Sequence, residues 1–283
     1  MDRRVLPRPS LSEIECENIP FFTDEALFEA CGVRIAFTTR AGGVSVGPYA
    51  SLNLGDHVAD DVEAVRRNRS LIMGALAGEA CSPIEAHLVV PNQVHGDMVV
   101  TVDSPADVVR AKNEATQGAD AIIVATREVA ALLCFADCVP LIIVMPTGRF
   151  AVVHAGWRGV ENTIAAKTLS LMLEQEKRAS GASQQELVAA TNVYIGPYIH
   201  RECFETSEEI HDLFVAKFGE ACSFDPRHVD LGAALRAQLI RLGISCARIC
   251  DVDKCAVCNN DRFFSYRAQG GTAGRHGAFA IRA

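Results

Sequence analysis

The sequence has no apolar segment long enough to cross a bilayer comfortably, and its first residues contain no apolar core. The longest apolar run, residues 129–145, is interrupted by Asp137 and Pro140 and is shorter than a membrane-spanning helix requires. Because residues 1–9 lack an apolar stretch, we expect no secretory signal peptide. These two absences predict a cytoplasmic protein that does not bind membranes.

A concentrated positive surface is also lacking. The formal net charge is -8 at pH 7, which disfavours nucleic-acid binding but leaves room for a local anion pocket. Hydrophobic residues make up 49% of the chain and charged residues 22%, a balance typical of soluble globular proteins. The eleven cysteines are an odd number in a chain with no visible export signal, so we expect reduced thiols that are mostly buried.

The chain shows no internal repeat and no low-complexity linker, which favours one folded domain. We predict an irregular N-terminal lead-in over residues 1–30 and a single α+β domain over residues 31–283. Several short apolar runs are typical of strands covered on both faces. Strands are predicted at residues 33–39, 87–90, 98–102, 121–124, 131–135, 141–145, 150–154, 192–195, 247–250 and 263–266. Helices are predicted at residues 60–76, 160–178, 206–218 and 230–243.

Three short phrases each place one metal-binding side chain in a glycine- or proline-marked turn beside an apolar run. They are residues 91–96 with His95, residues 136–140 with Cys138 and residues 154–159 with His154. Two imidazoles and one thiolate make a three-ligand zinc set, which leaves the fourth tetrahedral position for water or substrate and so indicates catalysis. Taken singly, each has a plainer interpretation: a surface histidine, a buried thiol and a turn that glycine permits.

Other polar residues near these phrases are candidates for holding a ligand. Asp137 lies between two apolar runs, where an ionisable side chain needs a partner or an exposed strand end, and it could orient a ligand or accept a proton. Arg158 follows His154 in a turn into a predicted helix, where a guanidinium and a helix N-terminus suit an anion. Further candidates for substrate binding are Arg40, Asn53, Gln93 and Arg267.

The C-terminal cysteines offer a rival metal pattern. Cys250, Cys255 and Cys258 have the C-x4-C-x2-C spacing of plant-type ferredoxins, with Cys246 or another residue as fourth ligand. The pair Cys255 and Cys258 also fits half a zinc site or a redox pair. Cys246 and Cys250 share one face of a strand-like run, however, which favours burial in the core over a cluster.

The phrases appear in the same order in the laccase-domain family, the purine nucleoside phosphorylase family formerly called multicopper polyphenol oxidoreductases, which this chain resembles. The matching phrases are residues 40–45, 92–96, 136–140, 154–159, 195–197 and 263–267. The most specific is His-Ala-Gly-Trp-Arg-Gly at residues 154–159. The chain departs from the family at Ala256, where threonine is frequent, and at Ala268, where a second arginine is frequent.

The resemblance implies a single α+β domain with mixed β-sheets flanked by helices, similar to the catalytic domain of cytotoxic necrotizing factor toxins. It implies one metal, usually zinc, held by the residues that match His95, Cys138 and His154. It also implies purine nucleosides and inorganic phosphate as substrates. The implied reactions are phosphorolysis of adenosine, inosine and 5'-methylthioadenosine, and deamination of adenosine.

Three alternatives remain open at this point. A copper-dependent polyphenol oxidoreductase needs paired H-x-H ligands, and this chain has eight histidines and no H-x-H, although its three donors also suit one copper ion. A metal-free cysteine hydrolase would use Cys138 as nucleophile and His154 or His95 as base. A metal-stabilised interaction module would have no catalytic activity.

Overall fold

Two mixed sheets pack face to face, with helices on both outer sides. The computed structural model describes residues 5–77 and 87–282, and within these ranges no helix is both long and apolar enough to cross a membrane. The described helices are α1 (Glu25–Cys31), α2 (Val62–Ala77), α3 (Val108–Gln117), α4 (Trp157–Glu161), α5 (Ile164–Ser180), α6 (Gln184–Ala190), α7 (Glu208–Phe218) and α8 (Leu231–Arg241). The described strands are β1 (Ser12–Cys16), β2 (Ile19–Thr23), β3 (Val33–Thr38), β4 (Leu88–Val89), β5 (Val99–Val102), β6 (Ala121–Val124), β7 (Ala130–Phe135), β8 (Val139–Val144), β9 (Phe150–Ala155), β10 (Asn192–Ile195), β11 (Ser223–Asp225), β12 (His228–Val229), β13 (Ile249–Asp251) and β14 (His276–Arg282).

Both sheets are mixed, because each contains parallel as well as antiparallel neighbouring strands. The first sheet has the order β1-β2-β3-β14-β7-β4 and the second has the order β13-β10-β8-β9-β6-β5. Neighbours are antiparallel except in three parallel pairs, which join β4 to β7, β5 to β6 and β10 to β13. A separate small ribbon pairs β11 with β12.

Side chains along the central strands point alternately to the two faces of each sheet. They form an inner core between the sheets and two outer cores between a sheet and the helices. In β8, Ile142 belongs to the core between the sheets together with Leu133 of β7. The next residue, Ile143, points the other way and belongs to the core formed with Leu169 of α5. On the far side of the first sheet, α2 contributes Ile72 to a third core. Since both faces of the central strands are covered, these strands are uniformly apolar.

The predicted α+β class with mixed sheets and flanking helices is confirmed, whereas the likeness to the toxin domain stays a prediction. The irregular lead-in over residues 1–30 is wrong, because β1, β2 and most of α1 lie there; residues 1–4 lie outside the described residues. Most β1 side chains are exposed, so this edge strand forms by pairing with β2 and leaves no apolar pattern.

Four local predictions also need correction. The helix predicted over residues 160–178 is divided into α4 and α5, because Thr163 has a left-handed φ of 61°. The helix predicted over residues 206–218 begins at Glu208 instead, and Ser207 caps it, with its hydroxyl accepting from the Ile210 N–H at 3.4 Å. The run 247–250 begins as a 3-10 turn before β13, and the run 263–266 forms no strand although Phe263 and Phe264 are fully buried.

A buried histidine makes stability depend on pH. His276 is fully buried against the rings of Phe135 and Phe263. Burial, helped by the charges of Arg275 and Arg40, lowers the pKa of its imidazole from 6.5 to about 4. Below pH 6.5 the unfolded chain therefore binds a proton that the folded chain does not. This histidine makes the fold progressively less stable as the pH falls from 6.5 towards 4.

His276→Phe is expected to remove this dependence while retaining an aromatic ring in the core. Protonation of His276 in the unfolded chain lowers the unfolding free energy of the wild type by roughly 3 kcal/mol at pH 4, and the variant lacks this loss. Denaturant titrations of both proteins at pH 7 and pH 4 measure the effect. The unfolding free energy of the variant minus that of the wild type should be larger at pH 4 than at pH 7 by about that amount. If this difference is the same at both pH values, the assignment to His276 is contradicted.

Candidate metal centre

The register of three neighbouring strands brings Asp120, Cys138 and His154 to one end of the second sheet. β8 pairs with β9 so that Pro140 lies opposite His154, and Cys138, just before β8, therefore lies beside the turn after β9. β6 pairs with the other side of β9, and the His154 N–H donates to the carbonyl of Asp120 at 2.7 Å. Residues distant in sequence meet because these strands end together.

One buried carboxylate positions both histidines. Asp120 accepts hydrogen bonds from the backbone N–H groups of Val94 at 3.3 Å, His95 at 3.0 Å and Gly96 at 2.7 Å. Its Oδ1 also lies 2.7 Å from Nδ1 of His154. His95 has a left-handed φ of 58°, which is uncommon for a residue other than glycine. The hydrogen bonds to Asp120 hold this backbone conformation and so fix where the imidazole lies.

The three predicted ligands form one compact group. The donor atoms of His95, Cys138 and His154 all lie within 4.8 Å of one another. The two imidazole rings meet edge to face, with 4.8 Å between their centroids. Gly156 leaves the space they need, since a Cβ at this position would lie 2.9 Å from Cδ2 of His95 and 3.2 Å from Sγ of Cys138. The group can hold one ion and leave a fourth position for water or substrate.

The electrostatics of the group favour a thiolate. Burial acts to raise the pKa of the Cys138 thiol, but the charge of His154 and hydrogen bonds from both imidazoles lower it to about 6. Burial acts to lower the pKa of His154, but the Cys138 thiolate and the hydrogen bond to Asp120 raise it to about 9. Asp120 therefore accepts the Nδ1 proton of His154, which leaves Nε2 as the nitrogen that would bind a metal, and metal binding there would displace the Nε2 proton.

The group opens into a cavity of about 450 Å³. Small-molecule sites typically occupy roughly 300–1,000 Å³. The cavity is lined by His57, Gln93, His95, Cys134, Ala136, Asp137, Cys138, His154, Ile199, Phe204, Tyr266, Arg267 and Arg275. The amide of Gln93 is fixed on β7, because its Nε2 donates to the carbonyl of Cys134 and its Oε1 accepts from the same residue's N–H, both at 2.8 Å.

Asp137 is held rigidly in the cavity wall beside Cys138. Its carboxylate accepts from the Ser265 hydroxyl at 2.6 Å and from the Arg267 N–H at 2.7 Å. Burial raises the pKa of the Asp137 carboxyl, against the lowering effect of these two hydrogen bonds. Its φ of 99° is strained for a residue other than glycine, and the same hydrogen bonds hold it there.

The predicted substrate-binding residues divide into two groups. Gln93 and Arg267 line the cavity, whereas Arg40, Asn53 and Arg158 are not among its lining residues. The guanidinium of Arg158 lies over the neighbouring indole ring, 4.3 Å from its centroid. The helix after this turn is the five-residue α4 rather than the start of a long helix, and anion binding by Arg158 stays a prediction.

The remaining two residues support the structure around the cavity. Arg40 donates hydrogen bonds to the carbonyl groups of Ala50 and Asn260, each at 2.8 Å. The side chain of Asn53 is fully buried, and its Oδ1 accepts from the Arg275 N–H at 2.8 Å. Asn53 thus acts on the cavity indirectly, by positioning a residue that lines it.

Sequence reasoning missed Asp120, Ser265 and Arg275. Asp120 carried a usable signal, because an ionisable residue directly before a fully apolar strand requires a partner. Ser265 and Arg275 carried none, since their contacts depend on how residues 260–275 fold back towards Asp137 and the cavity.

The structure brings together a different set of C-terminal cysteines from the one that the sequence spacing predicts. Cys255 and Cys258 lie close to Cys203, and the structure groups these three rather than the predicted set with Cys250. Cys250 lies in β13 and packs partly against the inner core. Cys246, predicted to be buried, is exposed because residues 246–248 form a 3-10 turn instead of a strand.

Fold and site together define a two-sheet α+β protein with an open His/His/Cys group that could hold a metal ion. Over residues 34–283 the chain matches the family described as multi-copper polyphenol oxidoreductase laccase, and it belongs to this family, as the sequence resemblance predicted. It is 34% identical over 268 residues to a protein of Bacteroides thetaiotaomicron named purine nucleoside phosphorylase, covering 89% of this chain and 92% of that one.

One further relative and one solved structure are also similar to this chain over most of its length. The chain is 31% identical to adenosine deaminase RL5, from an unknown prokaryotic organism, over 86% of this chain and 92% of that protein. The crystal structure of YlmD from Geobacillus stearothermophilus has a TM-score of 0.79 at 30% identity, covering 97% of this chain and 99% of that one. The fold and its connections are therefore shared along nearly the whole chain.

Proposed function

We propose that this chain is a zinc-dependent purine nucleoside enzyme. In this proposal it cleaves adenosine, inosine and 5'-methylthioadenosine with phosphate, giving the base and ribose-1-phosphate or methylthioribose-1-phosphate, and it deaminates adenosine to inosine. The observation that carries the proposal is the donor group of His95, Cys138 and His154, which opens into a cavity of about 450 Å³. The names of two relatives, purine nucleoside phosphorylase and adenosine deaminase, supply the substrate class.

The donor chemistry supports zinc as the metal. Two imidazoles and a thiolate are borderline and soft ligands that zinc accepts in catalytic sites with three protein ligands. When bound, zinc supplies Lewis acidity that lowers the pKa of water towards neutrality, which deamination of a purine requires. Copper accepts the same donors, but multicopper chemistry needs paired histidines, and the chain has eight histidines and no H-x-H.

Asp137 is proposed to move protons during both reactions. Its carboxylate lines the cavity next to Cys138 and is fixed by Ser265 and by the backbone of Arg267. A carboxylate held in one orientation is suited to accept a proton from water and to return it to the leaving base. The same hydrogen bonds keep this carboxylate from turning away from the cavity.

Phosphate is proposed to bind beside Arg267 and Arg275, the arginines that line the cavity. The guanidinium of Arg267 is anchored on the carbonyl groups of Cys203 and Glu205 at 3.3 and 3.2 Å. Each guanidinium has five N–H donors, so both keep donors for an anion. Gln93 is proposed to contact the nucleoside.

Purified protein incubated with adenosine, with and without phosphate, tests the proposal. Inosine formed under both conditions would report deamination. Adenine and ribose-1-phosphate formed only when phosphate is present would report phosphorolysis. If none of these products appears with zinc-loaded protein, the proposed function is wrong.

A metal-free cysteine hydrolase is the second candidate, because one observation favours it. Cys138, His154 and Asp120 form a chain in which a thiolate adjoins an imidazole whose other nitrogen is bonded to a carboxylate. Nucleophile, base and orienting group are arranged in this way in cysteine hydrolases. Stoichiometric zinc in purified protein would count against this candidate, whereas a covalent substrate adduct on Cys138, seen by mass spectrometry, would favour it.

A further inference from the structure

A second group of thiols lies outside the candidate metal centre. The Sγ atoms of Cys203, Cys255 and Cys258 lie within 4.8 Å of one another, and those of Cys203 and Cys258 are 3.5 Å apart. Two sulfurs on a tetrahedral zinc ion, with Zn–S bonds of about 2.3 Å, are about 3.8 Å apart. We call these three residues the thiol cluster.

The backbone holds the two halves of the thiol cluster together. The parallel strands β10 and β13 end side by side, and their pairing continues in an isolated bridge between Tyr198 and Cys255. The Tyr198 N–H donates to the carbonyl of Lys254 at 3.2 Å, and the Ala256 N–H donates to the carbonyl of Tyr198 at 2.8 Å. The cysteines therefore meet because two hydrogen-bonded segments present them, rather than through side-chain flexibility.

A histidine with an unused nitrogen adjoins the cluster. The backbone N–H of His200 donates to Sγ of Cys255 at 3.5 Å, and Nε2 of the His200 ring is buried and finds no hydrogen-bond partner among the described residues. The ring now packs against Tyr198, so it must rotate about its Cα–Cβ bond to reach the cluster. His200 and Cys203 form an H-x2-C pair, and Cys255 and Cys258 form a C-x2-C pair. Two ligand pairs of this kind are typical of a structural zinc site with four protein ligands.

We propose that Cys203, Cys255 and Cys258 bind a second, structural zinc ion, with the imidazole of His200 as fourth ligand. Three thiolates repel one another unless a cation lies between them, and zinc is the divalent ion that thiolate-rich tetrahedral sites favour. A closed set of four protein ligands leaves no position for a substrate, so this ion stabilises the fold and does not react.

The second ion braces one wall of the active-site cavity. Cys203 immediately precedes Phe204, which lines the cavity. Arg267 also lines the cavity, and its guanidinium is anchored on the carbonyl groups of Cys203 and Glu205. Fixing Cys203 to the segment with Cys255 therefore fixes the segment that shapes the cavity. Loss of this ion is expected to raise KM for a nucleoside more than it lowers kcat.

Metal analysis of protein purified with reductant, equilibrated with Zn²⁺ and desalted, tests this proposal. We expect two zinc ions per wild-type chain and one in Cys258→Ser or Cys203→Ser. Cys246→Ser is the matched control, because Cys246 is exposed and lies outside the cluster, and it should retain both ions. His200→Ala should release the second zinc to a competing chelator at a lower chelator concentration than the wild type does.

The same measurements distinguish a failure of the second zinc site from a failure of the proposed nucleoside activity. Cys258→Ser should lose one zinc and show a raised KM while it retains most of its kcat, whereas a variant of the candidate metal centre should lose one zinc and kcat together. Cobalt bound in place of zinc should give stronger thiolate charge-transfer absorption in the wild type than in Cys258→Ser, because the thiol cluster supplies three thiolates and the candidate metal centre only one. Equal zinc content in the wild type and Cys258→Ser, or a disulfide between Cys203 and Cys258 in freshly reduced protein, would overturn the second site.

Discussion

Cys138→Ala is expected to remove one zinc ion per chain and to lower kcat/KM for adenosine by at least about 100-fold. Removing an outer hydrogen-bond partner of a metal ligand typically costs roughly 10–100-fold in affinity or activity, and the loss of a ligand should cost more. The substitution removes the only thiolate of the candidate metal centre and leaves two imidazoles. Metal analysis and turnover assays on the same sample measure both effects.

Cys134→Ala is the control that isolates metal binding from the general loss of a thiol. Cys134 lines the same cavity, but burial raises the pKa of its thiol to about 11, and its Sγ donates to the carbonyl of Leu54 at 3.4 Å. A protonated thiol with its own partner is not a metal ligand. This variant should keep its zinc, and equal zinc losses in both variants would contradict the assignment of Cys138.

Gly156→Ala is expected to disturb the centre without removing any ligand. The added methyl carbon would lie 2.9 Å from Cδ2 of His95, which is closer than two carbon atoms approach, and 3.2 Å from Sγ of Cys138, which is a tight contact. Relief requires one of these two ligands to move, because the methyl group is fixed to the turn after β9. We expect a loss of roughly 10–100-fold in zinc affinity and in kcat/KM, similar to other changes that misplace a ligand.

Gly96→Ala makes the same chemical change nearby without the collision. Its added carbon would meet Oδ2 of Asp120 and Cγ2 of Val94 at 3.5 Å, an ordinary contact distance. Zinc affinity and turnover should therefore stay close to the wild type. If the two alanine variants behave alike, the space at Gly156 is not what shapes the centre.

The elements predicted best from sequence are the buried strands. Residues 121–124 and 192–195 were placed with their observed bounds, because strands covered on both faces are continuously apolar and sharply bounded. The edge strand β1 was missed, since its side chains are mostly exposed and its stability comes from pairing with β2. Long-range hydrogen bonding of this kind leaves no local pattern to read.

The site shows the same division between local and long-range information. His95, Cys138 and His154 were selected by their phrases, and the structure brings their donor atoms together. Asp120 lies 34 residues before His154 in the chain, and its role depends on the pairing of β6 with β9. Arg158 was selected for its charge, but packing against the neighbouring indole ring directs its guanidinium elsewhere. Charge predicts what a side chain can bind, whereas its direction depends on tertiary contacts.

Removing and restoring zinc while following adenosine turnover tests the central claim most directly. Protein freed of metal by a chelator is expected to lose both deamination and phosphorolysis, and activity should return in proportion to the zinc rebound at His95, Cys138 and His154. Copper added instead should restore neither nucleoside reaction to the same extent. Undiminished turnover of nucleosides by metal-free protein would contradict the account.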